Sequence, residues 1–201
     1  MKINKELPKK SKGRIIILEG LWSVGKTTFC LYLQKHHNFR FIQEPNHIKA
    51  KLKIKDRKVI TKWYFKEHLK NLKKAFELAS ENKNIAIERS PISSLAFARA
   101  FFHDNLFSNK SINEVESLSR EYKNQPYLLI LKHSNLPSLA KLLAKNKRMI
   151  IYSDLDFLKK FQRYLLFFGN LLEEKGCFNI IKLELNKNLR KNFQKIISKI
   201  L

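Results

Sequence analysis

The chain has 201 residues, is 44% hydrophobic, and carries 41 Lys and Arg against 17 Asp and Glu, a formal charge of +24. That length suits one domain with a sizeable core. Its longest apolar stretches, such as Tyr164-Leu165-Leu166-Phe167-Phe168, are too short to cross a bilayer, and Cys30 and Cys177 form neither a disulfide framework nor a metal-ligand spacing.

The first 13 residues read as a basic arm. No apolar core follows their lysines, so they do not read as a secretory signal, and a soluble, cytoplasmic protein is expected. A β-branched strand over 14–19 comes next, and directly after Ile15-Ile16-Ile17-Leu18 stands Gly20-Leu21-Trp22-Ser23-Val24-Gly25-Lys26-Thr27. This is the G-x-x-x-x-G-K-[ST] pattern between a strand and a helix, here expected over 26–37. Its glycines let successive N–H groups turn toward phosphate oxygens, and the helix N-terminus adds partial positive charge. Gly20, Trp22, Ser23, Val24, Gly25, Lys26, Thr27 and Thr28 are therefore expected to hold a nucleoside triphosphate. Lys26 reaches the β- and γ-phosphates, and the Thr27 hydroxyl ligates Mg²⁺.

A second strand is expected over 39–43, ending at Glu44-Pro45. Glu44 reads either as a base beside the γ-phosphate or as a surface turn residue ahead of a proline. Helix 56–82 keeps Phe65, Leu69, Leu72, Phe76 and Ala79 on one core face. A third strand, 84–88, ends at Glu88-Arg89-Ser90. An acid there, one crossover from the phosphate loop, is where a second Mg²⁺ contact is expected, and Arg89 offers a planar fork for phosphate. The rival reading of this pair is a surface ion pair of little worth. Helices over 92–107 and 113–123 lead to a fourth strand, 127–132, after which Lys132-His133-Ser134 supplies neither acid nor nucleophile. Helices 136–145 and 154–174, a fifth strand at 178–184 and a helix over 188–201 complete the chain. This alternation predicts an α/β three-layer fold. It has a parallel sheet, helices on both faces and right-handed crossovers, with ligands at the carboxyl ends of the strands.

Together these residues resemble the P-loop thymidylate kinase and deoxynucleoside kinase superfamily. The resemblance is carried by Ile17-Leu18-Glu19-Gly20 with Gly25-Lys26-Thr27-Thr28, by Glu44-Pro45, and by Glu88-Arg89-Ser90 followed by Ser93-Ser94-Leu95-Ala96-Phe97. It continues through Leu136-Pro137, Lys145-Asn146-Lys147-Arg148, Phe157-Leu158 and Tyr164, spanning 14–201 with a lid near 144–153. It implies a five-stranded parallel sheet and transfer of the ATP γ-phosphoryl group to a nucleoside or nucleoside monophosphate. Carried over by position, Lys26 and Thr27 serve ATP and Mg²⁺, and Glu44 is the acceptor-side acid. Glu88 contacts Mg²⁺ or its water shell, Arg89 the transferring phosphate, and Arg148 closes from the lid. The resemblance also admits a homodimer.

This chain departs from the pattern in places. Gln43 stands before Glu-Pro where thymidylate kinases usually have arginine, Trp22 where an acidic or small polar residue is common, and the lid is apolar at Met149-Ile150-Ile151-Tyr152. For the acceptor's base, Trp63, Tyr64, Phe97, Arg99 and Phe101 are candidates, with Phe97 and Arg99 first because they follow the third-strand motif. Lys outnumbers Arg 32 to 9, which reads as compositional bias on solvated faces in preference to a nucleic-acid surface. The alternative is a nucleotide-binding regulatory or nucleic-acid-associated protein with a degenerate acceptor site, and phosphorylation of a polynucleotide 5′ end is a third, smaller option.

Overall fold

The computed structural model describes residues 13–46, 48, 56–103, 106–122, 125–146, 149–185 and 189–200. Residues 1–12 of the expected arm, and Lys147 and Arg148 of the expected lid, lie outside the described residues.

Five strands form one sheet: β1 (Ile15–Gly20), β2 (Phe39–Ile42), β3 (Asn84–Glu88), β4 (Tyr127–His133) and β5 (Asn179–Leu185). Their order across the sheet is β2-β3-β1-β4-β5, and every neighbouring pair is parallel. The central strand β1 is buried along its whole length, as a strand covered on both faces must be, which explains its unbroken Ile-Ile-Ile-Leu run. In register, Leu18 sits beside Glu88 on one side, and Gly20 beside Leu131 on the other. β1 thus runs two residues past the end of β3, and the segments leaving the two strands emerge at the same edge.

Helices α1 (Lys26–His36), α2 (Arg57–Ser80), α3 (Pro91–Phe102), α4 (Asn109–Arg120), α5 (Leu136–Ala144), α6 (Leu155–Glu174) and α7 (Leu189–Ile200) connect and cover the strands. On one face α1 meets α7, with the Phe29 and Phe193 rings 4.5 Å apart. On the other, α3 packs between α2 and α6. Local chemistry sets the helix bounds. Asp56, Ser90, Asn135 and Asp154 cap α2, α3, α5 and α6 with side-chain oxygens that accept from first-turn N–H groups.

The third-strand helix ends five residues earlier than the 92–107 expected from its apolar pattern, because His103 turns left-handed at φ 57° and closes it. The next helix begins earlier than its apolar pattern suggests, at Asn109. A single turn of 3-10 helix, Ile150–Tyr152, stands within the expected lid. Among the described residues no helix is long and apolar enough to cross a membrane.

Candidate active site

The site lies at the carboxyl ends of β1, β2 and β3. Gly20 leaves β1 at φ 144°, and a Cβ there would sit 2.6 Å from the Leu131 carbonyl oxygen, so only glycine lets the chain pass. Ser23 at φ 59° and Gly25 at φ 89° complete the bend. Lys26 then turns back beneath the loop. Its Nζ donates to the carbonyl oxygens of Gly20, at 3.2 Å, and Leu21, at 2.7 Å. Burial, with the charge of Arg89 adding to it, brings its pKa from 10.5 down to about 7, although Glu44, Glu88 and Glu19 pull the other way. Val24 is buried, so its side chain holds the loop to the core and only its backbone is offered to a ligand.

Beside the loop, the Thr27 hydroxyl donates to Glu88 Oε1 at 2.6 Å. A hydroxyl and a carboxylate this close form the hard-oxygen pair that a Mg²⁺ ion takes alongside phosphate oxygens and water. The donor chemistry therefore fits the ion expected there.

The turn after β3 holds Arg89 at φ 67°, with its N–H donating to the Leu18 carbonyl at 2.9 Å. Its Nε lies 2.9 Å from Glu44 Oε1, and Nη1 donates to the Ser93 hydroxyl at 3.0 Å. Nη2 is buried and meets no partner among the described residues. Burial disfavours this charge, but Glu44, Glu19 and Glu88 together hold the guanidinium pKa above its ordinary value. Glu44 is thus a cavity-lining carboxylate paired with Arg89, and not a bare surface turn residue.

Behind Arg89 stands a group to which the sequence alone assigned no role. Glu19 is fully buried and accepts from the Ser90 N–H and Ser90 hydroxyl, both at 2.7 Å, and from the Ser93 hydroxyl. Burial raises its pKa, while Arg89 and the serine hydrogen bonds oppose the rise.

A cavity of about 480 Å³ opens between Glu44–Arg89 and the aromatic side chains of α2, α3 and the 3-10 turn. Trp22 takes an unexpected place in it. Its side chain leaves the phosphate loop and forms a cavity wall, stacked on Tyr152 at 4.4 Å with 5° between ring planes. Arg89 lies 5.2 Å from the Trp22 ring. Phe97 lines the same cavity, with Phe101 stacked behind it at 5.2 Å. Tyr64 lines it too, and Trp63 packs edge-on against Tyr64.

Arg99 is a correction. Two residues along a helix is over half a turn, so Arg99 points away from Phe97 and lines a separate cavity of about 290 Å³ with Phe107 and Phe168. Arg57, His68, Ser94 and Tyr152, none of them a candidate from the sequence, all line the main cavity. For His68 a signal existed, since it lies one helical turn beyond Tyr64. Nothing in the sequence pointed to Tyr152 as a stacking partner.

No family model matches the chain. A thymidylate kinase from Nautilia profundicola is 28% identical over 196 residues, covering 91% of this chain and 96% of that protein. Among solved structures, a deoxyadenosine kinase from M. mycoides with bound dATP superposes with a TM-score of 0.61 at 15% identity. It covers 92% of this chain and 98% of its own. A thymidylate kinase from Ehrlichia chaffeensis gives a TM-score of 0.59 at 13% identity, covering 94% of this chain and all of its own. These likenesses establish the fold, and the chain-long relative agrees with the resemblance carried by the motifs.

Proposed function

We infer that this chain is a nucleoside or nucleotide kinase of the P-loop thymidylate kinase and deoxynucleoside kinase superfamily. It moves the γ-phosphoryl group of ATP to the hydroxyl of a nucleoside, with deoxynucleosides foremost among the acceptors. The observation carrying this reading is the Glu44–Arg89 pair, set at the cavity's end beside Lys26, Thr27 and Glu88.

The loop N–H groups and Lys26 bind the ATP phosphates, and Thr27 with Glu88 would hold Mg²⁺, which when bound neutralises phosphate charge. Glu44 takes the proton of the acceptor hydroxyl as the new O–P bond forms and the bond to the ADP oxygen breaks. Arg89 holds Glu44 through Nε and presents Nη2 to the transferring group, the fork geometry that lysine lacks. Positioning and charge neutralisation supply most of the rate in such reactions.

A hydroxyl acceptor suits this cavity for two reasons. A hydroxyl needs a base, whereas a phosphate oxygen is already ionised at neutral pH and would meet the Glu44 carboxylate as a like charge. Of the described lining cations, Arg89 is held by Glu44 through Nε and turns Nη2 to the transferring group, which leaves Arg57 for an acceptor's own phosphate. The second reading, a nucleoside monophosphate acceptor, is favoured by the 28% identity to a thymidylate kinase.

The test is coupled ADP release with ATP and Mg²⁺ across all ribo- and deoxynucleosides and their monophosphates, with Lys26→Ala as blank. Stimulation by a nucleoside supports the first reading, and stimulation by monophosphates alone supports the second. ADP release that no acceptor raises above the blank refutes both.

A further inference from the structure

His68 lies on α2, is only 2% exposed, and lines the main cavity together with Trp22, Tyr64 and Phe97. Its Nδ1 is 3.1 Å from the Ser94 hydroxyl. Its Nε2 is buried and has no hydrogen-bond partner among the described residues. Native interiors seldom leave a polar atom so, and one beside a cavity is accounted for when a ligand satisfies it.

The tautomer follows from the same contact. Ser94 is 3% exposed, and the contact with His68 is the one hydrogen bond of its hydroxyl among the described residues. If Nδ1 carried the proton, the buried Ser94 O–H would have no acceptor. With the hydroxyl donating to Nδ1, both are satisfied and the ring proton sits on Nε2. The ring stays neutral, since burial and the nearby Arg89 charge push its pKa down to about 3. His68 therefore offers one N–H donor and no acceptor.

We propose that His68 determines specificity: its Nε2–H donates to a carbonyl oxygen or unprotonated ring nitrogen on the acceptor's base, with Ser94 holding the ring in that tautomer. This rests on the kinase reading above. A buried donor accepts a base that turns an acceptor atom toward it and rejects one that turns an amino group there, because two donors would then face each other unpaired.

Three variants test it. His68→Leu removes the N–H at similar volume, His68→Gln restores an N–H at comparable reach, and Ser94→Ala releases the tautomer. The readouts are kcat and KM for each nucleoside, KM for ATP, and ¹⁵N spectra of the labelled imidazole with and without nucleoside. His68→Leu is expected to lower kcat/KM for the preferred nucleoside by about tenfold to a hundredfold and to flatten the preference among bases. The loss falls on acceptor KM, with KM for ATP unchanged. His68→Gln recovers much of the loss, and Ser94→Ala weakens the preference without abolishing turnover.

Wild-type base preferences in His68→Leu overturn the proposal. So does a uniform loss across all nucleosides that His68→Gln fails to recover, which marks a purely structural role. Wild-type protein that phosphorylates no acceptor refutes the kinase reading. The ¹⁵N arm still decides His68 in that case: an Nε2-protonated ring that shifts when nucleoside is added supports the contact, and an Nδ1-protonated or unresponsive ring overturns it.

Discussion

Nucleotide binding is expected to draw a proton from solution, because the unliganded site holds the Lys26 ammonium weakly. With its pKa brought to about 7 by burial and by Arg89, about nine-tenths of Lys26 is neutral at pH 8. Bound polyphosphate surrounds Nζ with negative charge and restores the ammonium, so uptake should be about 0.9 proton at pH 8 and about 0.5 at pH 7. The same group shapes stability. A lysine depressed from 10.5 to about 7 in the folded state binds fewer protons there than in the unfolded chain across that window. The unliganded protein therefore gains stability as pH rises from about 7 toward 10.5, by at most about 5 kcal/mol. The assay is calorimetric titration with a non-hydrolysable ATP analogue at pH 8, in buffers of differing ionisation enthalpy, where the slope of observed heat counts the protons. Lys26→Arg, charged at every working pH, should take up none. Wild-type uptake no greater than that of Lys26→Arg refutes the reasoning.

Glu44→Gln keeps the shape of the acid but cannot accept the acceptor's proton, so kcat with a nucleoside should fall by about a hundredfold or more while the affinity for an ATP analogue holds. Rapid-quench single turnovers measure this, and an unchanged chemical step removes Glu44 as base. Glu88→Gln should raise the Mg²⁺ concentration for half-maximal activity by about tenfold or more, read from a Mg²⁺ titration at fixed ATP. Gly20→Ala places a Cβ 2.6 Å from the Leu131 carbonyl oxygen at φ 144°. Urea unfolding should show a loss of about 3 kcal/mol, and wild-type stability would mean the strand end relaxes freely.

Much of this architecture was legible because it is local. The phosphate loop declares itself by glycine spacing, and the strands by short β-branched runs. Asp56, Ser90 and Asp154 stand where helices begin. In a parallel sheet β1 and β3 both deliver their C-terminal ends to one edge, which is why Glu88 and Arg89 could be assigned beside the loop from sequence. The features that stayed hidden depend on side-chain direction between elements. Arg99 sits two residues from Phe97 in the chain, yet the helical turn sends it to another cavity. Trp22 belongs to the loop by sequence, and its ring leaves to stack on Tyr152, far along the chain. His68 shares a helix with an obvious core stripe, and only its unpartnered Nε2 separates it from that stripe.

Glu19 shows how the two halves of the site are held to each other. It is the last residue before the phosphate loop turns at Gly20, and its buried carboxylate grips Ser90 and Ser93 on either side of the α3 N-terminus. Ser93 in turn receives the Arg89 Nη1 at 3.0 Å, and the Arg89 N–H is fixed to the Leu18 carbonyl. Arg89 is thus anchored twice to the strand that carries the phosphate loop. Trp22 extends the loop itself into the cavity wall, its ring 5.2 Å from the Arg89 guanidinium. A buried carboxylate is costly to keep unless its hydrogen bonds are met, and here they tie the start of α3 and, through Ser93, Arg89 to the end of β1. The phosphate loop and the cavity are therefore tied into one hydrogen-bonded unit; under the kinase function proposed above, the loop that holds ATP also shapes the surface that selects the acceptor.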